Sequence, residues 1–232
     1  IDVDIIEEIA RIYGYQRIAG RLPEGELPMT SPDPHLAWEE EIKVHLRDWG
    51  YTELYTYSMV SEERMDAFGQ NKSKAYKITN PLSSEWTYMR PHLLMSVLEA
   101  VKTNLKTTKD MKVFELSMTY KYRAGDLPLE TPTLIVVWTG HVFGEAKGLA
   151  EALFDIFGLD SQNLQNTDKQ SLSMYNKNRL SLGEFGSVGE LHAEFLATLD
   201  IRTPLTLLYI NFGTLTAHAK STKKYIPIPR YP

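Results

Sequence analysis

The fold of this chain is indicated most clearly by NPLSSEWTYMRPHLLMSVLEAVKTNL, residues 80–105, followed by KVFELSMTYK, residues 112–121. Asn80-Pro81 marks a turn, and a short extended piece then leads into a helix predicted over residues 92–105. Apolar side chains at helical spacing indicate the helix, whereas aromatic and β-branched residues indicate the strand after it. This order predicts a helix that packs on a sheet through one apolar stripe. The stripe consists of Leu94, Val97, Leu98, Val101 and Leu105.

The segments around this stretch continue as a mixture of strands and helices. TLIVVWTG at residues 133–140 is a nearly continuous apolar run, which indicates a buried central strand. Asn-Lys-Asn at the centre of residues 171–182 predicts a hairpin turn. Because strands and helices do not alternate strictly, the pattern predicts an α+β fold with one large, mostly antiparallel sheet. Further strands are predicted at residues 52–60, 112–122 and 204–212, helices at residues 61–68 and 145–159, and a strand running into a helix at residues 186–201.

The start of the chain, DVDIIEEIARIYGY at residues 2–15, predicts an amphipathic helix. Asp4 is its predicted N-cap, and Glu7 three residues later gives an aspartate variant of the capping box. A proline-rich linker follows over residues 19–34 and separates this helix from the rest of the chain. The apolar face of the helix consists of Ile5, Ile6, Ile9, Ile12 and Tyr13.

The next predicted helix, residues 34–49, carries two tryptophans on one apolar stripe. Asp33 is its predicted N-cap, Pro34 suits the first helical position, and Gly50 ends it. Two interpretations of the stripe stay open. Either it packs into the core of its own domain, or it contacts another subunit, since tryptophan is enriched at protein interfaces. The stripe consists of Trp38, Ile42, Leu46 and Trp49.

The composition is that of an ordinary globular protein, with 232 residues, 43% hydrophobic and 24% charged. There is no cysteine, which excludes disulfides and thiolate sites and fits a reducing cytoplasm. No apolar run reaches the roughly 18 residues that a membrane span needs. The formal net charge of −5 argues against a general nucleic-acid binder. A chain that starts at Ile1 and ends at Pro232 is expected to be a piece of a longer protein.

Sequence motifs of common catalytic sites are absent. The chain has no phosphate-cradling GxxxxGK[ST] or GxGxxG loop and no GxSxG nucleophile turn. Its six histidines never fall at the spacing of metal ligands, so each is expected to be a surface or lightly buried polar residue. The residues alone therefore assign no catalytic side chain.

Four motifs, in order along the chain, resemble the beta chain of bacterial phenylalanyl-tRNA synthetase. Each would be weak alone, but together they span nearly the whole chain in the order of that family. They are DVDIIEEIARIYGY at residues 2–15, the stretch at residues 80–121 with its matches at Asn80 to Ser83, Met89 to Leu94 and Val113 to Glu115, GSVGELH at residues 186–192, and YIPIPRYP at residues 225–232.

The resemblance implies the catalytic-like module of that chain, which is similar in fold to class II aminoacyl-tRNA synthetase catalytic domains. Such a module has a mostly antiparallel sheet flanked by helices, here with the C-terminal helix of a winged-helix-like domain at its N-terminus. The implied domains are the end of the winged-helix-like domain at residues 1–18, a linker at 19–34, the class II module at 35–222, and at 223–232 a connection to an anticodon-binding domain outside the chain.

The resemblance also implies that the active site has been lost. Class II catalytic domains hold ATP phosphates with an arginine beside an acidic residue of the sheet and another after a glycine-rich strand-to-helix turn. Here Glu115 has no adjacent arginine, and the last strand-to-helix step contains Gly213 but no arginine. Arg90 and Arg123 stand in neither place. No catalytic residue and no catalysis by the chain alone are expected.

One metal site is implied by the resemblance. In bacterial beta chains the acidic residues of a DxxEE string hold Mg²⁺, and here these residues are Asp4, Glu7 and Glu8. Oxygen ligands suit Mg²⁺, and this spacing places the three on one side of a helix. A further family ligand lies upstream of this chain, so the alternative of a solvated acidic helix start stays open.

The function implied is that of a structural module in a cytoplasmic ligase that joins phenylalanine to tRNA(Phe) with ATP and Mg²⁺. The alpha subunit of an alpha-beta heterotetramer would carry the chemistry, and this module would dock on it through the helix at residues 34–49. No membrane partner is expected, and a homodimer of the piece alone stays open. The alternatives are an active ATP-using class II paralogue, or a free-standing interaction or tRNA-binding domain that uses Lys223 and Lys224.

Overall fold

The computed structural model describes residues 1–22, 24–25, 33–160 and 174–220. It divides the chain into two compact units, Ile1–Pro32 and Asp33–Pro232. The predicted domain boundaries stay predictions, and the predicted C-terminal connection lies outside the described residues. Within the part of the chain that is described, no helix is both long and apolar enough to cross a membrane.

The described part of the first unit consists of one α-helix, α1 (Asp2–Tyr13), and a short 3₁₀ turn at Tyr15–Arg17. The helix begins before the predicted cap, because Ile1 occupies the N-cap position. The prediction that Asp4 caps the helix was therefore wrong. Asp4 instead lies in the first turn, where a carboxylate interacts favourably with the helix dipole. The winged-helix-like context of α1 stays a prediction.

The second unit is built on a mixed sheet whose described strands have the order β1-β4-β5-β8-β7-β6. All neighbouring pairs are antiparallel except β1 with β4, and the chain's last described strand, β8, lies between β5 and β7. The predicted α+β class with a mostly antiparallel sheet is confirmed. The strands are β1 (Thr52–Glu53), β2 (Met59–Val60), β3 (Tyr88–Met89), β4 (Lys112–Lys121), β5 (Leu129–Thr139), β6 (Tyr175–Ser181), β7 (Gly186–Leu191) and β8 (Leu205–Asn211), of which β2 and β3 form a separate antiparallel pair.

Helices cover both faces of this sheet. Side chains alternate along each strand, so Phe114 of β4 enters one core cluster and Val113 enters the other. The first cluster is covered by helices α2, α5 and α7, and the second by α4 and α6. The flanking helices predicted from the sequence are therefore confirmed. They are α2 (Pro34–Asp48), α3 (Glu62–Ala67), α4 (Leu94–Asn104), α5 (Phe143–Ile156), α6 (Ala193–Thr198) and α7 (Phe212–Ala217).

Helix boundaries follow the local sequence signals closely. Asp33 caps α2, because its carboxylate accepts a hydrogen bond from the backbone N–H of His35, and Pro34 takes the first helical position. Gly50 follows the helix with φ 85°, a conformation that favours glycine. Ser61 caps α3 by accepting from the backbone N–H of Arg64. The cap, the first helical position and the end predicted for α2 are thereby confirmed.

Two strand predictions were wrong. Residues 52–60 do not form one strand but contribute β1 and β2 at their ends, with an irregular segment between them. The Asn-Lys-Asn sequence is not a turn, because it lies inside β6, where the register with β7 shifts between Tyr175 and Arg179. The turn of this hairpin is the 3₁₀ segment Gly183–Phe185, and residues 171–173 lie outside the described chain.

Gly186 opens β7 at a point of close backbone approach. Its φ is 151°, and a Cβ atom placed on it would overlap the carbonyl oxygen of Tyr209 in β8 and lie 2.9 Å from the carbonyl carbon. Gly183, in the same hairpin turn, also has a positive φ of 64°, but a Cβ atom there would meet nothing within 4 Å. Only glycine thus fits at residue 186, whereas residue 183 has room for a side chain.

Candidate functional site

The sheet face covered by α4 and α6 is apolar at one end and polar at the other. Its apolar end holds residues such as Val113, Val137 and Leu207. At the other end polar side chains point the same way from adjacent strands, because they sit in register with one another. This polar end is the candidate functional site. It is formed by Glu115, Ser117, Thr119, Thr133, Ser187 and Tyr209.

A buried ion pair lies at the edge of this polar end. Arg90 Nη1 is 3.3 Å from Glu115 Oε1, and the two side chains are 0% and 2% exposed. The guanidinium also donates through Nε to the Met118 carbonyl at 3.1 Å and through Nη2 to Ser117 Oγ at 2.6 Å. Two further hydrogen bonds from Nη1 reach Thr56 Oγ1 at 2.8 Å and the Tyr57 carbonyl at 3.1 Å.

The surroundings of this pair explain how two charges are accommodated inside the fold. Burial lowers the pKa of Arg90, and the Glu115 carboxylate opposes that change, so an arginine remains charged here. The carboxylate accepts hydrogen bonds from the backbone N–H of Thr56 at 3.3 Å and from its hydroxyl at 2.7 Å. All three guanidinium nitrogens have acceptors inside the fold, so this guanidinium offers no free fork to a phosphate.

The second place where the resemblance puts a phosphate-binding arginine is the step from β8 to α7. Asn211 caps α7 there by accepting from the backbone N–H of Thr214 at 3.2 Å. Gly213 packs near the ring of Pro132, where a Cβ atom would lie 3.3 Å from Cγ. Neither this step nor α7 contains an arginine. At the two expected positions, the described residues therefore hold only Arg90, and each of its three guanidinium nitrogens already has an acceptor within the fold.

His92 and Tyr209 stack over the same polar end, with ring centroids 5.3 Å apart. The Nδ1 atom of His92 accepts from the backbone N–H of Leu94, the first residue of α4, at 3.2 Å, so this imidazole is neutral. Burial lowers the pKa of His92 to about 4, with a further contribution from the charge of Lys121. Burial raises the pKa of Tyr209. The stack thus covers this end of the sheet with two uncharged rings.

We expect the fold to lose stability on acidification through His92. The pKa of histidine is 6.5 when unperturbed and about 4 in the fold, so the unfolded chain binds more protons between these values. The stabilisation is complete above pH 6.5 and is lost as the pH falls through 4, by up to about 3 kcal/mol. Urea unfolding of the wild type and of His92→Asn at pH 7 and pH 4.5 measures it. Asparagine keeps an acceptor for Leu94, so parallel pH dependences of the two proteins would contradict the assignment.

A groove of about 610 Å³ lies away from this site, between α4 and the start of α5. Its wall includes Leu54, Val101 and Met111, together with an ion pair of 2.6 Å between Lys112 and Glu145. It contains none of the residues that the sequence singled out for nucleotide binding. The groove is therefore separate from the polar end of the sheet.

The predicted magnesium ligands lie on the exposed surface of α1. Glu8 pairs with Arg11, and Asp4 lies 3.1 Å from the N-terminal amine. No three His, Cys, Asp or Glu side chains in the described parts of the chain are placed to hold a metal ion together. The role of Asp4, Glu7 and Glu8 in binding Mg²⁺ stays a prediction.

The apolar stripe of α2 is divided between the core and the surface. Ile42 and Leu46 are completely buried in the first core cluster, so as partner contacts they are corrected to core residues. Trp38 is partly buried and packs on Phe157, with ring centroids 4.6 Å apart. Trp49 is 41% exposed and stacks on His45. Only the ends of the stripe are left to contact a partner.

Comparison with known proteins places the chain in a family. The sequence profile of the phenylalanyl-tRNA synthetase beta chain CLM domain matches residues 18–212, which is most of the chain. The chain belongs to this family. The resemblance of its ordered motifs to the phenylalanyl-tRNA synthetase beta chain is thereby confirmed.

Individual relatives agree with this family over the whole chain. The phenylalanine–tRNA ligase beta subunits of Syntrophus aciditrophicus and Geobacillus kaustophilus are each 28% identical over 100% of this chain. The beta subunit of Geobacter sulfurreducens is 27% identical, also over the whole chain. The chain spans about a third of the length of these relatives, 31–32% of each.

Solved structures support the fold. Two structures of pyrrolysyl-tRNA synthetase from Desulfitobacterium hafniense superpose with TM-scores of 0.63, for the one titled PylSc, and 0.62. They share 15% sequence identity with this chain and cover 81% and 78% of it, and it covers 73% and 67% of theirs. This CLM domain therefore shares its fold with a synthetase that is distant in sequence.

The contact between Arg90 and Glu115 was missed in the sequence of this CLM domain. Glu115 was noted for lacking an adjacent arginine, and its partner comes from 25 residues upstream. A signal was present, because each residue is the single charge inside a mostly apolar run, WTYMRPHLL at residues 86–94 and VFELSM at residues 113–118. Two buried residues of opposite charge are expected to form an ion pair, since burying an unpaired charge costs much free energy.

Proposed function

We propose that this chain is a non-catalytic module of the phenylalanine–tRNA ligase beta subunit, which docks on a catalytic alpha subunit for the aminoacylation of tRNA(Phe). The observation that carries the non-catalytic role is the buried Arg90, whose guanidinium nitrogens are all engaged within the fold. Family membership supports the beta-subunit assignment. ATP and phenylalanine would then be bound by the alpha subunit and not by the polar end of this sheet.

The remaining parts of the proposal follow from the family. They are a cytoplasmic alpha-beta heterotetramer, tRNA contacts made through the full-length complex, and Mg²⁺ held by Asp4, Glu7 and Glu8 with a further ligand from outside this chain. An active class II paralogue is not favoured, because it would need a free phosphate-binding arginine. A free-standing tRNA-binding domain is not favoured either, because the chain carries a net charge of −5.

The C-terminal end of α2 is the proposed docking surface. Ile42 and Leu46 face inward, so they fix the helix on the sheet and leave Trp49 at the surface. An exposed tryptophan beside a rigid helix is the type of side chain that dominates binding energy at protein interfaces. The nearby imidazole of His45, with its ring centroid 5.5 Å from that of Trp49, holds the indole in place.

Co-elution tests the docking proposal. The 232-residue chain is mixed with the alpha subunit of the Syntrophus aciditrophicus ligase, and the complex is measured by light-scattering chromatography. We expect a mixed complex, and we expect Trp49→Asp to weaken it at least tenfold because a charge would replace an apolar anchor.

Leu127→Asp is the matched control, because Leu127 is 78% exposed in the β4–β5 turn, away from α2. It should leave the complex unchanged. A complex that tolerates Trp49→Asp would refute the α2 surface. The absence of any complex with the wild-type chain would refute docking by this module.

A further inference from the structure

The outer edge of β4 is covered in an unusual way. β1 pairs with β4 only at Val113 and Phe114. The last backbone hydrogen bond of this ladder runs from the Leu54 N–H to the Phe114 carbonyl at 2.7 Å. Beyond that point the chain continues along β4 without strand pairing. An exposed edge with unpaired backbone groups is normally a liability, so its closure requires an explanation.

Backbone bonds resume only at Ser58. The Arg90 N–H donates to the Ser58 carbonyl at 2.9 Å, and the Arg90 carbonyl accepts from the Tyr120 N–H at 3.0 Å. Between these two anchors lie residues 55–57, which the described structure ties to β4 through no backbone–backbone hydrogen bond. What holds these three residues is therefore a set of side-chain contacts.

Those contacts converge on the buried ion pair. Glu115 accepts from both the backbone N–H and the hydroxyl of Thr56, while Arg90 donates to the Thr56 hydroxyl and to the Tyr57 carbonyl. Arg90 Nε also donates a hydrogen bond to the Met118 carbonyl on β4. The pair thus links residues 56 and 57 to β4 in place of the missing ladder.

The exposure of the neighbouring rings follows from this arrangement. Because side chains alternate along an extended segment, an inward Thr56 turns Tyr55 and Tyr57 outward. Tyr55 is 96% exposed and Tyr57 is 63% exposed. Tyr57 also contacts the ring of Trp86, with centroids 4.7 Å apart.

We infer that Arg90 and Glu115 act as a latch that holds residues 55–57 against the free edge of β4 and fixes the direction in which Tyr55 and Tyr57 project. They are positioning residues of this surface segment. The inference does not depend on the identity of any partner, so it stands or falls separately from the proposed docking function.

Amide hydrogen exchange of the whole 232-residue chain, followed by NMR, tests the latch. The quantity measured is the exchange rate of the Thr56 amide relative to that of Leu54, whose amide is held by the Phe114 carbonyl. In Arg90→Met combined with Glu115→Leu, both charges are replaced by apolar side chains, a change that buried ion pairs often tolerate. We expect the ratio to rise at least tenfold, because Thr56 loses its acceptor while Leu54 keeps its own.

Ser117→Ala is the matched control. Ser117 Oγ accepts from Arg90 Nη2 at 2.6 Å, and the described structure shows no hydrogen bond from its hydroxyl to residues 55–57, so the ratio should stay within twofold of the wild-type value. If the double variant does not fold, Thr56→Val provides the test. Residue 56 then keeps its backbone N–H contact with Glu115 but loses the hydroxyl that contacts both charges, so the segment should open more often and the ratio should rise. An unchanged ratio in the double variant, or in Thr56→Val where that one is used, would overturn the latch.

Discussion

Replacing Gly186 by alanine is expected to destabilise the second unit by more than about 4 kcal/mol, an exceptional loss for one methyl group. The added Cβ atom would overlap the carbonyl oxygen of Tyr209, and that atom belongs to the backbone of β8. A flexible side chain could move aside, but a carbonyl in a central strand cannot move without breaking the β7–β8 ladder. Urea unfolding followed by tryptophan fluorescence measures the change.

Gly183→Ala is the control for this prediction. It lies in the same hairpin and also has a positive φ, but it has open space where the methyl group would go. Its expected cost is only the strain of a left-handed conformation, about 1 kcal/mol. Equal losses for the two variants would show that backbone conformation, and not contact with β8, makes glycine necessary at residue 186.

Removing one partner of the buried ion pair is the second large effect. Arg90→Met should lower the free energy of unfolding by about 3–5 kcal/mol, because it leaves the Glu115 carboxylate buried without its counter-charge. Such a loss is a large fraction of the total stability of a typical domain. The measurement is urea unfolding at pH 7, where the carboxylate of a glutamate is otherwise ionised.

Lys112→Met is the matched control, because it also removes one charge of an ion pair and Lys112 lies on β4, the strand that carries Glu115. Lys112 and Glu145 form a pair of 2.6 Å, but their side chains are 48% and 40% exposed, so water can replace either partner. This change should cost less than about 1 kcal/mol. If Arg90→Met lowered the free energy of unfolding no more than Lys112→Met does, the Arg90–Glu115 pair would not be a dominant contribution to the stability of the fold.

The parts of this fold that sequence predicts well are those set by local chemistry. Asp33, Pro34 and Gly50 bound α2 because capping and backbone preference act within a few residues. The run TLIVVWTG becomes the buried strand β5 because an apolar segment of that length must be covered on both faces. The irregular segment after β1 could not be predicted in this way. Its aromatic residues favour a strand, but the side chains of Glu115 on β4 and of Arg90 bind this segment where a strand would form backbone hydrogen bonds.

The candidate site was predicted only through what it lacks. The sequence shows directly that no arginine is adjacent to Glu115 or follows Gly213 in the strand-to-helix step, because both statements concern residues that are neighbours along the chain. The presence of Arg90 beside Glu115 depends on how two distant segments meet, and spacing does not encode that. The stripe of α2 shows the same limit, since helical periodicity places Ile42 and Trp49 on one stripe but cannot tell how far the neighbouring sheet extends beneath it.

The position of β8 has a consequence for the order in which the fold can be completed. Among the described strands, the last one along the chain, β8, lies in the middle of the sheet, between β5 and β7. During synthesis the β4–β5 and β6–β7 hairpins can each form as they emerge, but they share no edge until residues 205–211 arrive. The β4–β5 and β6–β7 hairpins therefore keep unpaired edges until β8 has been synthesised and pairs with both of them. β8 pairs with both β5 and β7, and it adds Leu208 and Ile210 to the first core cluster and Leu205 and Leu207 to the second.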